Sequence, residues 1–315
     1  MASETDAKYE EEYVWNSRGM KLFSCRWLPV NQSPKALILM CHGYAMECSI
    51  TMNSTARRLA KAGFAVYGID YEGHGKSEGV PGLVTNFDYV IDDCILHFTT
   101  ICEQGENKNK MRFLMGESMG GAVALHLHRK KPDYFDGAIL VAPMCKISDE
   151  MKPNAVMVTI LSALSKVVPT WKIVASPDII DAAFKVPEVR EEVRANRFCY
   201  KGKPRLRTAF ELLRASNLIE ASLHEVSLPF LVLHGEDDKV TDKAVSKQLY
   251  EVAASSDKTL KLYPHMWHGL LYGEPPENLQ IVFSDIITWL DQKSNYANSR
   301  LERELKEHHE PLVKA

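Results

Sequence analysis

A hydroxyl, a carboxylate and an imidazole can together move an acyl group, and this chain supplies candidates for all three in the order Ser118, Asp238, His268. Ser118 lies in Gly116-Glu117-Ser118-Met119-Gly120, directly after the apolar run 111–115 and ahead of the helix-like stretch 122–129. In that setting G-x-S-x-G reads as a nucleophile elbow, a sharp strand-to-helix turn that lifts the serine hydroxyl to the top of a sheet. The glycines are the physical requirement: a Cβ at Gly116 or Gly120 would crowd the turn, and Gly121 keeps the first helical turn slim. The pattern by itself is only moderately specific, so its partners matter.

An activated serine needs a base, and the base needs an orienting carboxylate. His234-Gly235-Glu236-Asp237-Asp238-Lys239-Val240 follows the apolar run 230–233, and Tyr263-Pro264-His265-Met266-Trp267-His268-Gly269 follows the run 260–263. Both clusters lie just past strand ends, where open α/β sheets place their sites. Asp238 reads as the acid, with Asp237 and Asp242 as alternatives that would only cap a turn or the next helix. His268 reads as the base because Gly269 and Leu270-Leu271 suggest a packed loop, whereas His265 reads as exposed.

The tetrahedral intermediate requires donors for its oxyanion, and the backbone amides of Tyr44 and Met119 are the candidates. Cys41-His42-Gly43-Tyr44-Ala45 taken alone is a plain β-to-α turn; alongside the serine, acid and base it reads as the oxyanion loop. Such chemistry requires no metal and no cofactor. The cysteines and histidines lack closed ligand spacing, and phosphate-cradling glycine patterns are absent.

The elements that must position these groups alternate between short apolar runs and longer helical patterns. That is the sign of a mostly parallel sheet covered on both faces. Strands are expected at 13–15 and 22–28, an antiparallel pair turning at Ser17-Arg18-Gly19, then at 36–40, 65–69, 112–115, 137–141, 230–233 and 260–263. Helices are expected at 54–62, 87–102, 121–129, 243–254 and 279–292. The alternation breaks between about 144 and 225, where helical segments with three Pro-marked breaks and no convincing strand predict an inserted helical cap. The expected organisation is a core in two parts, 1–143 and 225–293, a cap at 144–224, and a polar, charge-rich tail at 294–315.

Composition narrows the partners. The chain of 315 residues is 45% hydrophobic and 25% charged, with a net charge of -3 and no long basic block, so it offers no field for nucleic acid. Seven scattered cysteines and an N-terminal segment without an apolar signal core lead us to expect a reducing, cytoplasmic compartment. The sequon Asn53-Ser54-Thr55 then reads as an incidental helix start.

Taken together, CHGYAMECS, DYEGHGKSEG, GESMGGAVALHLHRKKP, APMCKI, LVLHGEDDKVTD and YPHMWHGLLYGEP resemble the plant monoacylglycerol lipase-like serine hydrolases, whose relatives include lysophospholipases and caffeoylshikimate esterases. The resemblance runs from about residue 13 to 290. It implies the α/β-hydrolase fold, with a mostly parallel sheet of about eight strands, helices on both faces and an inserted cap. It also implies Ser118, Asp238 and His268 as a triad, Tyr44 and Met119 as oxyanion amides, and the Gly73-His74-Gly75-Lys76-Ser77 turn as a landmark rather than a chemical participant. The implied substrate is a small ester, either an acyl lipid or, as the alternative, a hydroxycinnamoyl ester; acyl transfer and a non-catalytic receptor are further alternatives on the same fold. The sequence departs from animal and bacterial monoglyceride lipases at Glu117, where they carry His, and at Ala45-Met46-Glu47, where they carry Gly-Glu-His. Their glycerol contacts therefore do not carry over.

Two other patterns bear on function. The stretch 155–168 is apolar nearly all round, too short and too interrupted by Lys166 to span a membrane. It is either a cap helix packed over the site or a surface that touches a membrane or guides acyl chains. His128 and Asp133 match the H-x4-D spacing of acyltransferases, but basic residues and Pro132 at a helix end account for the segment.

Overall fold

A computed structural model describes residues 7–145, 155–172 and 178–296. Eight strands, β1 (Ala7–Trp15), β2 (Lys21–Pro29), β3 (Leu37–Cys41), β4 (Ala65–Ile69), β5 (Arg112–Glu117), β6 (Gly137–Val141), β7 (Phe230–Gly235) and β8 (Lys258–Tyr263), form one sheet in the order β1-β2-β4-β3-β5-β6-β7-β8. The first three neighbours pair antiparallel, and every pairing from β4 through β3 to β8 is parallel. The helices are α1 (Asn53–Lys61), α2 (Phe87–Cys102), α3 (Met119–Lys130), α4 (Ala155–Val167), α5 (Ile179–Ala183), α6 (Pro187–Ala195), α7 (Leu206–Ser222), α8 (Lys243–Val252) and α9 (Pro276–Tyr296).

The strand period of two explains the layers. Along β3, Leu37, Leu39 and Cys41 face one core with Phe87, Ile91 and Phe98 of α2 and Val245 and Leu249 of α8. Ile38 and Met40 face the other, against Ala56 and Leu59 of α1 and Ile286, Trp289 and Leu290 of α9. Strands buried on both faces read as continuous apolar runs, which is why β3 to β7 are plain in the sequence.

Differences from the sequence reading have local causes. β1 begins at Ala7 rather than residue 13 because Glu10, Glu11 and Glu12 hide any apolar alternation; on an edge strand such charges are tolerated and discourage further pairing. The pairing of Glu117 with Val141 carries β5 into the elbow itself. α9 runs past its expected bounds at both ends, to Tyr296, and the remainder of the expected tail, 297–315, lies outside the described residues. Among the described residues of 144–225 there are helices and no strand.

The helical segments between β6 and β7 are fastened to loops beyond the strand ends. Asn196 donates its side-chain amide to Glu47 (3.0 Å), Tyr200 N–H donates to the Ala45 carbonyl (2.9 Å), and Glu211 of α7 accepts from Phe87 N–H (2.9 Å). Glu47 also accepts the backbone N–H groups of Ile50 and Thr51, so this departure from the lipase pattern serves as an anchor. Asn53 accepts from the Trp27 indole (2.9 Å) and from Arg57, so its side chain is engaged in the fold.

Candidate active site

The elbow is built from strain and small residues. Ser118 has φ 55 and ψ −119, a sparsely populated conformation for a residue with a Cβ, costing on the order of 1–3 kcal/mol. Hydrogen bonds hold it there: Ser118 N–H donates to Val141 O (2.9 Å), while Gly121 and Met144 N–H both donate to Ser118 O (2.9 Å each). A Cβ on Gly116 would overlap the Gly120 carbonyl, and one on Gly120 would overlap the Cys41 carbonyl at the end of β3. We therefore expect Gly120→Ala to destabilise the fold by about 3 kcal/mol or more, since only backbone movement can relieve the overlap; thermal unfolding measures it, and an unchanged midpoint would refute the packing argument.

The loops after β7 and β8 converge on the same point. His268 Nδ1–H donates to Asp238 Oδ2 at 2.7 Å. That oxygen also lies 3.1 Å from His234 Nε2 and 2.9 Å from the Thr241 hydroxyl, and Oδ1 accepts from the backbone N–H groups of Val240 and Thr241. Burial alone would raise the Asp238 carboxyl, but the charge of His268 and the hydrogen bonds of both histidines outweigh it, holding Asp238 well below the usual carboxylate range. Burial alone would likewise lower His268; the charge and hydrogen bond of Asp238, helped by Glu117, hold it above its ordinary 6.5.

The neighbouring candidates are engaged elsewhere. Asp242 caps α8 through Ala244 N–H (2.8 Å), and Asp237 faces His265 at 3.6 Å on the surface, where His265 is 87% exposed. His128 accepts from Ser227 N–H at 3.1 Å, outside the cavity that holds Ser118.

Tyr44 and Met119 border the cavity beside Ser118. Met119 is the first residue of α3, so its N–H has no acceptor within the helix. The Tyr44 N–H belongs to the same peptide unit as the Gly43 carbonyl, which accepts from His42 Nδ1 (2.8 Å). Tyr71 N–H in turn donates to His42 Nε2 (3.3 Å), and burial, followed by the charge of His74, lowers His42 to about 3, so the ring is neutral and its orientation set. His74 of the glycine-rich turn packs edge-on against the Tyr44 ring, with centroids 5.6 Å apart. Sequence reading missed His42, His234, Thr241 and Glu117 as site residues. All four lie inside the motifs already quoted, and Glu117 was marked there as a departure from the lipase pattern; what each side chain touches was not legible along the chain.

Ser118 and His268 open into one cavity of about 520 Å³. Much of its wall is apolar, including Met144, Ile179, Ile180, Phe184, Val193 and Leu212. Such a pocket buries a hydrocarbon chain while a few polar groups fix the reacting end.

A sheet of this order, with a strained serine between β5 and α3 and a carboxylate–imidazole pair beyond β7 and β8, defines a serine hydrolase of the α/β-hydrolase fold. The chain belongs to the family described as serine aminopeptidase, S33, whose pattern it matches over residues 32–276. It is 34% identical to caffeoylshikimate esterase from Arabidopsis thaliana over 296 residues, covering 90% of this chain and 89% of that protein. It is 32% identical to monoglyceride lipase from Homo sapiens over 291 residues, covering 91% and 92% respectively. A soluble variant of monoglyceride lipase from Saccharomyces cerevisiae, solved with a substrate analog, shares the fold with a TM-score of 0.80 at 21% identity, covering 93% of this chain and 97% of that one.

Proposed function

We propose that this serine hydrolase releases a fatty acid from monoacylglycerol or lysophospholipid through an acyl-enzyme on Ser118. The observation that carries the reading is the 2.7 Å bond from His268 to Asp238 beside a strained serine, in a cavity whose wall is largely apolar. In this reading His268 accepts the Ser118 proton as the hydroxyl attacks the ester carbonyl, and then gives it to the departing alcohol. Asp238 holds the imidazole and stabilises its charged form, the Tyr44 and Met119 amides receive the oxyanion, and water releases the acid. Residues 144–224 act as the cap that supplies Ile179, Ile180, Phe184 and Val193 to the acyl path.

Hydrolysis of a caffeoylshikimate-type ester is the second reading, favoured by the 34% identity to the Arabidopsis esterase. Initial rates on monoacylglycerol, lysophosphatidylcholine and caffeoylshikimate separate the two. A preference for caffeoylshikimate would overturn the lipid assignment, and inertness toward every ester would overturn both.

The cap also suits a lipid surface. α4 packs on α7 but leaves Ile160, Leu164 and Val167 exposed, Val167 at 78%, and Trp171 follows, also exposed. Burying such side chains contributes roughly 1.5–3 kcal/mol each, enough for peripheral binding. No described helix is long and apolar enough to cross a membrane. Leu164→Glu/Val167→Glu is expected to reduce co-sedimentation with phosphatidylcholine vesicles by about tenfold or more, and undiminished binding would remove the cap from the membrane reading.

A further inference from the structure

Glu117 is a polar group of the cavity that the proposed acyl-enzyme mechanism does not use. It ends β5 immediately before the nucleophile, is 5% exposed, and borders the cavity together with Ser118, His268 and Tyr272. Its Oε1 is buried without a hydrogen-bond partner among the described residues. Buried carboxyl oxygens are ordinarily satisfied, and an orphan of this kind at a ligand cavity marks a place where the ligand completes the bond.

The reacting geometry says which part of the ligand that is. The oxyanion belongs to the Tyr44 and Met119 amides, and the leaving oxygen must lie where His268 can protonate it. Glu117 lies close enough to His268 and Tyr272 for its charge to act on both, and Tyr272 packs on Phe184 with ring centroids 5.0 Å apart. A saturated acyl chain lying along Ile179, Ile180, Phe184 and Val193 has no hydrogen-bonding group to offer a carboxyl there. The alcohol portion is therefore what meets Glu117.

Resting on the esterase reading above, we infer that the Glu117 carboxyl binds a free hydroxyl on the leaving alcohol, and so selects partial esters of polyols over esters of simple alcohols. The carboxyl can both donate and accept near neutral pH: it is pushed up to about 7, first by burial and then, against the charge of His268, by that of Asp238. A polyol hydroxyl beside the ester oxygen matches that dual capacity, whereas an alkyl alcohol would leave the carboxyl unpaired. Glycerol and shikimate both carry such hydroxyls, so the selection acts within either substrate reading.

The test is a matched pair of soluble esters with one acyl group, 1-butyrylglycerol and propyl butyrate, assayed for kcat/KM with the full chain as wild type, Glu117→Gln and Glu117→Ala. Wild type is expected to favour the glyceryl ester. That preference should fall by about tenfold or more in Glu117→Ala and by less in the isosteric Glu117→Gln, which keeps a donor and an acceptor. A purely electrostatic or packing role would lower both esters together and leave their ratio unchanged, which would overturn the inference, as would a wild type without preference. A wild type inert to both esters would instead strike down the esterase reading itself, so the two failures are distinguishable.

Discussion

Ser118→Ala is expected to lower kcat for ester hydrolysis by about 10⁵- to 10⁶-fold while leaving the protein folded. Alanine removes only the hydroxyl. The hydrogen bonds that hold the elbow all involve backbone atoms: Ser118 N–H to Val141 O, and Gly121 and Met144 N–H to Ser118 O. Alanine keeps the Cβ, so the strain at φ 55 is unchanged and unfolding temperature should move little. In the proposed mechanism the residual rate would come from the Tyr44 and Met119 amides and the shaped cavity acting on a water attack. Single-turnover kinetics with a nitrophenyl ester check the assignment directly, because wild type should give a burst equal to the enzyme present and the variant none. A variant that still turned over at the wild-type rate would remove Ser118 from the chemistry.

Asp238→Asn is expected to lower kcat by about 10⁴-fold at neutral pH. The same substitution should change the shape of the pH profile. In the proposed mechanism His268 acts as base only when neutral, and Asp238 raises it above its ordinary 6.5, so wild-type kcat/KM should rise with pH through a midpoint above that value. The forces opposing one another at His268 are burial, which lowers it, and the charge and hydrogen bond of Asp238, which raise it. Removing the charge leaves burial the stronger, so the midpoint of the residual activity should move to lower pH. A midpoint unmoved in Asp238→Asn would show that another carboxylate holds the base. His234 and Thr241, both within 3.1 Å of Asp238 Oδ2, keep the asparagine side chain in place, so the loss reads as one of charge and tautomer rather than of structure.

Much of this was legible along the chain because it depends on local pattern. β3 to β7 lie between two apolar layers and so appear as unbroken hydrophobic runs. The elbow is visible because close approach of the Gly120 and Cys41 backbones permits only glycine there. Helix α2 has the bounds expected of it because Asn86 caps it through Asp88 N–H and its apolar face repeats regularly. β1 was only half visible, since its register is set by pairing with β2 and its own side chains on the edge are charged.

The sequence by itself therefore determined the order of the layers, the glycine-framed serine and the short list of acids and bases. Only the tertiary structure decided which of them meet. Asp237, Asp238 and Asp242 stand within six residues and share one side-chain chemistry, yet one faces His265 on the surface, one accepts His268, and one caps α8. Which way each points depends on the path of two loops whose ends are held by β7 and β8. The same holds for His42, for the Glu117 oxygen that is unpartnered among the described residues and for the exposed side chains of α4, all set by elements distant in sequence. Side-chain type is a local property of the chain, whereas burial, charge environment and hydrogen-bond partnership arise only when remote segments pack together.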